Sequence, residues 1–186
     1  MPDLAPITPL GNAHPITETY GPVTLSEVVD RALASVAARL DTGPNAMDNL
    51  AKYLGTPLPD VEQISGTTQQ AFWIGPDQWM ITADFATHET LATDLAQRTQ
   101  GHFNVTEQTD AWCRFDLTGG QLADVFERLC PVNIRAKSNG TAVRTTIDHL
   151  GCSVLIFDQR HIAVMGPRSA AASLHHTLVT ALRSVF

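Results

Sequence analysis

The sequence lacks most of the residue patterns that mark the common kinds of functional site. Its 186 residues include only three cysteines, and no two of them form a CxxC pair. Neither a GxGxxG nor a GxxxxGK[ST] loop occurs, so the backbone cradles that bind nucleotide phosphates are not expected. No apolar run approaches the ~18 residues that a membrane-spanning helix needs. These absences argue against both a dinucleotide-binding domain and a membrane protein.

Positive charge is also scarce. The chain has 12 Lys and Arg against 19 Asp and Glu, a formal net charge of −7, and its cations are scattered. Because phosphate binding needs clustered Lys and Arg, we expect no nucleic-acid partner. The odd number of cysteines and the lack of a charged, then apolar, leader segment predict reduced thiols and a cytoplasmic location.

Side chains that could catalyse a reaction or ligate a metal occur without the spacing these roles require. His175 and His176 are adjacent, about 100° apart on a helix, so they cannot share one metal ion as histidines at i and i+4 do. Cys113 falls on the apolar face of a predicted strand, where cysteine behaves as a small hydrophobe. Asp110 and Asp116 are the best candidates for paired carboxylates, but solvated or turn roles suit them better. We predict no catalytic, cofactor-binding or metal-binding residue in this chain.

The apolar periodicity predicts alternating strands and helices. The predicted strands are 102–109, 111–118, 143–149, 151–157 and 161–165, together with a hairpin over 69–84. The predicted helices are 45–54, a segment from His88 to Gly101, a segment of about 119–130 stopped by Pro131, and a final helix capped by Ser169. Propensity favours one more helix over 24–40, and a rival interpretation places a strand at "LASVAARL" (33–40).

Residues 1 to about 22 are rich in proline and small polar residues, which predicts an extended N-terminal arm that is ordered only if something holds it. Residues 23–186 are predicted to form a single α+β domain with two subdomains and a break near 100–110.

The stretch "FWIGPDQWMI" (72–81) places two of the three tryptophans on either side of a Gly-Pro-Asp turn. Trp73 and Trp79 could pack in a core, contact another protein or stack on a ligand. A stacking platform needs polar groups nearby, and only Asp77 and Gln78 are offered. We predict that at least one tryptophan is buried and that the tip, Gly75-Pro76-Asp77, contacts a partner. Trp73, Gly75, Pro76, Asp77 and Trp79 are the candidate interface residues.

Three motifs together resemble one known family. "FWIGPDQWMI" is similar to the "WLGPDEWL" signature of the gamma subunit of heterotetrameric sarcosine oxidase. "VTEQTDAWCRFDLTG…LADVFERLCPVNI" resembles its second signature, and "GPRSAAASLHHTL" resembles its "PRSFAxSLxxxL" helix. The motifs occur in the family's order and cover about residues 25–184. The departures are Asn133, where Asp is usual after "CP", and the unmatched N-terminal arm.

The resemblance implies a fold. It implies two ferredoxin-like antiparallel halves sharing a core, similar to the folate-binding part of aminomethyltransferases. It also implies a strand over 33–40 in place of the helix that propensity favours, because tertiary pairing overrides propensity.

The resemblance also implies a role. In the sarcosine oxidase assembly, the alpha subunit carries NAD and a folate-binding region, the beta subunit carries FAD and FMN, and the delta subunit binds zinc. The complex oxidatively demethylates sarcosine, passes the one-carbon unit to tetrahydrofolate and produces hydrogen peroxide. The gamma subunit holds no cofactor, so this chain is expected to be a non-catalytic structural subunit with alpha, beta and delta partners.

Three alternatives remain open. The chain could be the equivalent subunit of a related amine dehydrogenase, such as one acting on N-methylglutamate. It could be a free-standing folate-binding protein, although the "KGC[YF]xGQ" motif of the iron–sulfur-repair relatives is absent. It could also be an adaptor without an enzyme partner.

Overall fold

The computed structural model describes residues 5–186, and these divide into two compact units. One unit consists of residues 5–29 together with Asp110–Phe186, and the other is the continuous segment Asp30–Thr109. The chain therefore passes between units twice, after Val29 and after Thr109. The sequence pointed to one boundary, near 100–110, and did not indicate the one after Val29.

Both units are built from strands and helices in alternation. The strands are β1 (Thr17–Tyr20), β2 (Val23–Val28), β3 (Arg31–Ala38), β4 (Ile64–Ser65), β5 (Gln70–Gly75), β6 (Gln78–Asp84), β7 (Phe103–Glu107), β8 (Trp112–Gly119), β9 (Thr141–Ile147), β10 (Leu150–Asp158) and β11 (His161–Pro167). The α-helices are α1 (Pro44–Leu54), α2 (Leu91–Thr99), α3 (Leu122–Phe126) and α4 (Ala171–Val185).

The second unit has the strand order β4-β5-β6-β3-β7, with every pair antiparallel. Without the two-residue β4, its chain order is β-α-β-β-α-β, which is the ferredoxin-like arrangement. The apolar residues of β3 and β6 that point to one face join Leu50 and Leu54 of α1 and Leu91 and Leu95 of α2 in one buried cluster. The helices therefore cover one face of this sheet.

The first unit has the order β1-β2-β8-β11-β10-β9, also fully antiparallel. The four central strands repeat the ferredoxin-like order, with β2 taking the place of the strand that would follow α4. Leucines at 174, 178 and 182 of α4 pack with Phe115 of β8 and with α3 in this unit's own buried cluster. The prediction of two antiparallel ferredoxin-like halves is confirmed.

The prediction of a helix over 24–40 is wrong, and the interpretation that places a strand at 33–40 is correct, with the strand observed as β3. In β3 the residues Ala32, Ala34 and Val36 alternate onto the buried face, and the strand is bonded to β6 on one side and β7 on the other. A central strand forms hydrogen bonds along both edges, which outweighs the few tenths of a kcal/mol per residue by which alanine prefers a helix.

Other local predictions differ in detail from the structure. The helix expected over about 119–130 is the five-residue α3, followed by turns. Ser169 does not cap α4; it lies in a 3-10 turn, Arg168–Ala170, and Ala170 is the residue before the helix. The strands predicted over 102–109 and 111–118 exist as β7 and β8, but they belong to different sheets.

The close approach of β2 to β8 requires a glycine. Gly119 has a φ of +130°, and a Cβ atom placed on it would lie 2.0 Å from the carbonyl oxygen of Pro22. The Gly119-Gly120 pair therefore serves the turn that leads from β8 to α3.

The predicted extended arm is largely held by the chain itself. Its residues 17–20 form β1 at the edge of the first unit's sheet. Glu27, only 4% exposed, accepts hydrogen bonds from the backbone N–H of Leu10 at 3.0 Å and of Ile16 at 3.3 Å. Arg168 donates to the carbonyl of Ile7 at 2.9 Å. Residues 1–4 of the predicted arm lie outside the described residues.

Glu27→Gln should loosen this arm, because an amide offers one acceptor oxygen where the carboxyl group uses two. We expect faster backbone hydrogen exchange over residues 8–16 and a loss of about 1–3 kcal/mol in the free energy of unfolding. Glu89→Gln, at an exposed position of the second unit, is the matched control and should change neither quantity. Unchanged exchange over residues 8–16 in Glu27→Gln would show that other contacts hold the arm.

Candidate functional site

The candidate interface residues lie on the hairpin of β5 and β6 in the second unit. Its turn is Pro76-Asp77, and Asp77 has a φ of +53°, a left-handed conformation that aspartate tolerates better than most residues. The register shifts between Trp73 and Gly75, which leaves one residue of β5 outside the ladder. The predicted hairpin is therefore confirmed, with a bulge beside its turn.

The two tryptophans lie directly opposite each other across the hairpin. Opposed residues of an antiparallel pair point to the same face, so both indoles lie on the face that the helices cover. Trp79 is 7% exposed and its indole N–H donates to the carbonyl of Pro59 at 2.9 Å. Trp73 is half-buried. The prediction that at least one tryptophan is buried is confirmed, and Trp79 is a core residue with a satisfied donor.

The exposed part of the hairpin is its tip. Gly75 is buried, whereas Pro76 and Asp77 are exposed. The carbonyl of Asp77 accepts a hydrogen bond from the N–H of Ala38 at 2.9 Å, which ties the tip to the end of β3. Two residues further along, Leu40 is fully exposed. Of the five candidate residues, then, two are open to solvent.

Leu40 is the surface residue that sequence reasoning missed. It precedes the Asp41-Thr42-Gly43 turn, and an apolar residue at a strand end gives no signal of its own in the sequence. The turn is fixed by Thr42, whose hydroxyl accepts the N–H of Arg39 at 2.9 Å and donates to the carbonyl of His102. The tip and Leu40 together, Leu40, Pro76 and Asp77, form an exposed surface that we term the tip surface.

The first unit contains a cluster of charged side chains on the other face of its sheet from the buried core. Arg114 donates to both oxygens of Asp116, at 2.6 and 2.8 Å, and Asp116 also contacts Nε2 of His161 at 2.7 Å. Phe157 lies beside both partners, 4.6 Å from the His161 ring and 5.3 Å from the Arg114 guanidinium. In the strand predicted over 111–118, alternate residues such as Arg114 and Asp116 share a face, but the sequence did not indicate that His161 joins them.

Burial raises the pKa of Asp116, but the hydrogen bonds from His161 and Arg114 lower it more, so its pKa lies below the usual carboxyl value. The Arg114 and Asp116 side chains are 11% and 13% exposed. Asp110 is exposed and lies 3.6 Å from Arg168 instead. The two carboxyl groups considered as a pair thus have separate partners. Asp116 is an ionised, fully engaged carboxylate, and such a group is a poor general acid or base at neutral pH.

The cysteines have the chemistry of inert thiols: Cys113 and Cys152 are buried and Cys130 is half-buried. Burial raises the pKa of Cys113 and of Cys152 to about 11, and that of Cys130 also lies above its usual value. Because the thiolate is the reactive form, these side chains are weak nucleophiles at neutral pH. Across residues 5–186, all three are unpaired.

His, Cys, Asp and Glu side chains are the usual protein ligands of a metal ion. No group of three or more His, Cys, Asp or Glu side chains within residues 5–186 is placed to hold a metal ion. Nε2 of His175 lies 3.2 Å from a carboxylate oxygen of Glu18, and the centres of the His175 and Phe115 rings are 5.7 Å apart. The His175 side chain therefore packs against β1 and β8. No helix in the described part of the chain is long and apolar enough to cross a membrane.

Comparison with known proteins gives matches at the level of structure. Neither a family model nor a curated protein matches the sequence. A chain of the heterotetrameric sarcosine oxidase from Corynebacterium sp. U-96 matches with a TM-score of 0.78 and 21% identity, over 87% of this chain and 84% of that one.

A second solved structure matches less completely. The glycine cleavage system aminomethyltransferase T from Bartonella henselae matches with a TM-score of 0.63 and 15% identity, over 82% of this chain but only 44% of that enzyme. At these identities the matches establish the fold. The protein has the fold of a chain of heterotetrameric sarcosine oxidase, which is also found in part of an aminomethyltransferase.

Proposed function

We propose that this chain is a non-catalytic structural subunit of a heterotetrameric sarcosine oxidase in the cytoplasm, with partners equivalent to the alpha, beta and delta subunits. The observation that carries the proposal is the extent of the match. The chain corresponds to 84% of one whole chain of a sarcosine oxidase, but to less than half of an aminomethyltransferase. A subunit is matched along its length, whereas an enzyme with this fold has further parts that this chain does not match.

The chemistry of the side chains supports the same proposal. The thiols have raised pKa values, and the one charged cluster described above is satisfied within its own sheet. In the proposed complex, FAD, FMN, NAD, zinc and tetrahydrofolate are held by the other subunits. The role of this chain is then to complete the assembly, and the tip surface is its proposed contact with a large subunit.

The tip surface suits this role for physical reasons. Leu40 exposes its whole side chain and Pro76 is an exposed, rigid apolar ring, and the hydrogen bond from Ala38 to Asp77 joins the two segments that carry them. A protein pays little conformational entropy to bind through residues that are already fixed. Burial of a leucine side chain contributes about 1.5–3 kcal/mol, so one such residue could matter measurably to assembly.

Purification from the native host with a tag on this chain tests the proposal. We expect the chain to co-purify with flavin-containing partners and the complex to form hydrogen peroxide from sarcosine. Activity on N-methylglutamate in place of sarcosine would assign the complex to the related dehydrogenases. Recovery of the chain alone, with stoichiometric binding of tetrahydrofolate, would contradict the proposal and favour a free-standing folate-binding protein.

Expressed alone, the chain should be colourless. Because the sequence contains no phosphate-binding loop, we expect no flavin absorbance in the purified protein. Denaturation should release neither FAD nor FMN, which a fluorescence assay of the supernatant can verify. A yellow protein with one flavin per chain would contradict the proposed division of roles.

Trp79→Ala should destabilise the isolated chain strongly. It removes a buried indole and leaves the Pro59 carbonyl without its donor, at a cost of about 3–5 kcal/mol. That is a large part of a domain's stability of about 5–15 kcal/mol. Trp73→Ala, at a half-buried position of the same hairpin, should lower the melting temperature less. Equal, small effects of both changes on the melting temperature would show that Trp79 is not a core residue.

Leu40→Asp should separate assembly from stability. An exposed substitution changes the free energy of unfolding by about 0.5 kcal/mol or less, so the melting temperature of the isolated chain should stay the same. Co-purification with the partners should weaken. Val61→Asp, at another exposed apolar residue of the second unit, is the matched control and should assemble normally. Normal assembly of Leu40→Asp would remove the tip surface from the interface.

Asp116→Asn should affect stability and leave catalysis unchanged. Because the pKa of Asp116 is lower in the folded state, its stabilising contribution is complete above the usual carboxyl pKa and disappears as pH falls through the folded-state value. The variant should lose about 1–3 kcal/mol at pH 7, and the difference from wild type should shrink in acid. Asp110→Asn is the exposed control. A large fall in the turnover of an assembled Asp116→Asn complex would contradict the structural role.

A further inference from the structure

A groove of about 980 Å³ runs between α1 and α2 of the second unit. Its walls are the polar faces of the two helices, with side chains spaced three and four residues apart, so that each wall is one helix face. The wall residues that matter here are Asn45, Asn49 and Lys52 on α1, and Gln97, Arg98 and Gln100 on or just after α2.

The groove carries positive charge although the chain has a net charge of −7. Lys52 and Arg98 line it, and within residues 5–186 neither forms an ion pair. The Arg98 guanidinium lies 4.5 Å from the centre of the Tyr53 ring, which orients it without neutralising it. The one acidic lining residue, Asp94, accepts a hydrogen bond from the Thr90 hydroxyl at 3.1 Å and keeps its charge, so Lys52, Arg98 and Asp94 together give the groove a net charge of +1 (two positive, one negative).

Between the charges, the lining is made of carboxamides. Asn45, Asn49, Gln97 and Gln100 each offer both a donor and an acceptor. Such groups can bond the N–H and C=O groups of an extended peptide backbone, whichever direction it runs. From Asn45 to Lys52 the helix rises about 10 Å, at about 1.5 Å per residue. About three residues of extended chain would span that distance.

One end of the groove adds a further attraction for anions. Gly43, Asn45 and Ala46 of the lining belong to the start of α1, which is the positive end of the helix dipole, although Pro44 has no N–H and the N–H of Ala46 already donates to the Gly43 carbonyl at 3.0 Å. Within the described residues, no side chain caps this end and its first turn contains no acidic residue. The groove thus combines two free cations, a helix N-terminus and a row of carboxamides.

We propose that the α1–α2 groove binds an extended, acidic peptide segment of a partner subunit. The carboxylates of the segment would bond Lys52 and Arg98, and its backbone would bond the carboxamides. Two cations are too few for a nucleic acid, which needs a clustered basic surface. The inference rests on the proposed function only for the identity of the chain that supplies the segment.

Binding of a fluorescently labelled, capped penta-glutamate peptide to the full chain tests the groove directly, since no other subunit is needed. We expect saturable binding that weakens as salt rises, and weaker binding of penta-glutamine. Lys52→Glu with Arg98→Glu should weaken penta-glutamate binding about tenfold or more, because two attractions become repulsions. Arg128→Glu with Arg160→Glu is the matched control: it changes the net charge equally on exposed residues of the first unit and should bind normally.

A charge-neutral pair, Lys52→Gln with Arg98→Gln, covers the case in which the reversed pair does not fold and should also weaken binding. The proposal is overturned if wild type does not bind penta-glutamate, if the control pair weakens binding equally, or if a five-residue oligothymidylate binds as tightly.

Assembly provides the second readout. In the purified complex, the Lys52 and Arg98 variants should dissociate more readily from their partners than the control pair. If the chain proves to have no partners, the proposed function fails while peptide binding still reports on the groove. If partners are present and the groove variants assemble like wild type, the groove proposal fails and the proposed function stands.

Discussion

The pairing of β2 with β8 is the constraint on which the first unit depends. The two strands lie on either side of the second unit in the sequence. They are nevertheless hydrogen-bonded neighbours in one sheet, paired from Val23 opposite Gly119 to Val28 opposite Arg114. Closing so long a loop is costly for a flexible chain, although the cost grows only slowly with length. Within the second unit, β3 and β7 are antiparallel neighbours, so its first and last strands bring its two ends close together. Folding of the second unit thus shortens the loop that β2 and β8 must close.

Two carboxylates of the first unit accept hydrogen bonds that stabilise its fold. Glu27 accepts a hydrogen bond from the backbone of the N-terminal segment, and Asp116 accepts hydrogen bonds from Arg114 and His161. Each is a buried or nearly buried carboxylate whose oxygens are occupied by the chain's own donors. Buried polar groups that are fully satisfied rigidify a fold, whereas catalysis needs groups that remain free to bind a reactant. Lys52 and Arg98, which form no ion pair within the described residues, line a groove that a partner could reach.

We therefore expect contacts with a partner at two features of the second unit. The tip surface is small, with two apolar residues beside one carboxylate, and the α1–α2 groove is polar and positively charged. Protein interfaces commonly combine an apolar centre with a polar rim that sets orientation. Apolar contact would contribute most of the affinity, and the charges would select the partner and speed its approach.

The sequence by itself determined the hairpin, the amphipathic α1, α2 and α4, and the alternation of β8, because these depend on neighbours a few residues apart. It also carried three motifs that indicated the fold. Apart from the resemblance, which implied a strand over 33–40, it could not determine that β2 and β3 are strands, since alanine-rich segments favour helices unless neighbouring strands form hydrogen bonds with their backbone. Nor could it place His161 beside Asp116, or join Lys52 and Arg98 across one groove. Those contacts link residues far apart in the chain, and only the pairing of strands and the packing of helices bring them together.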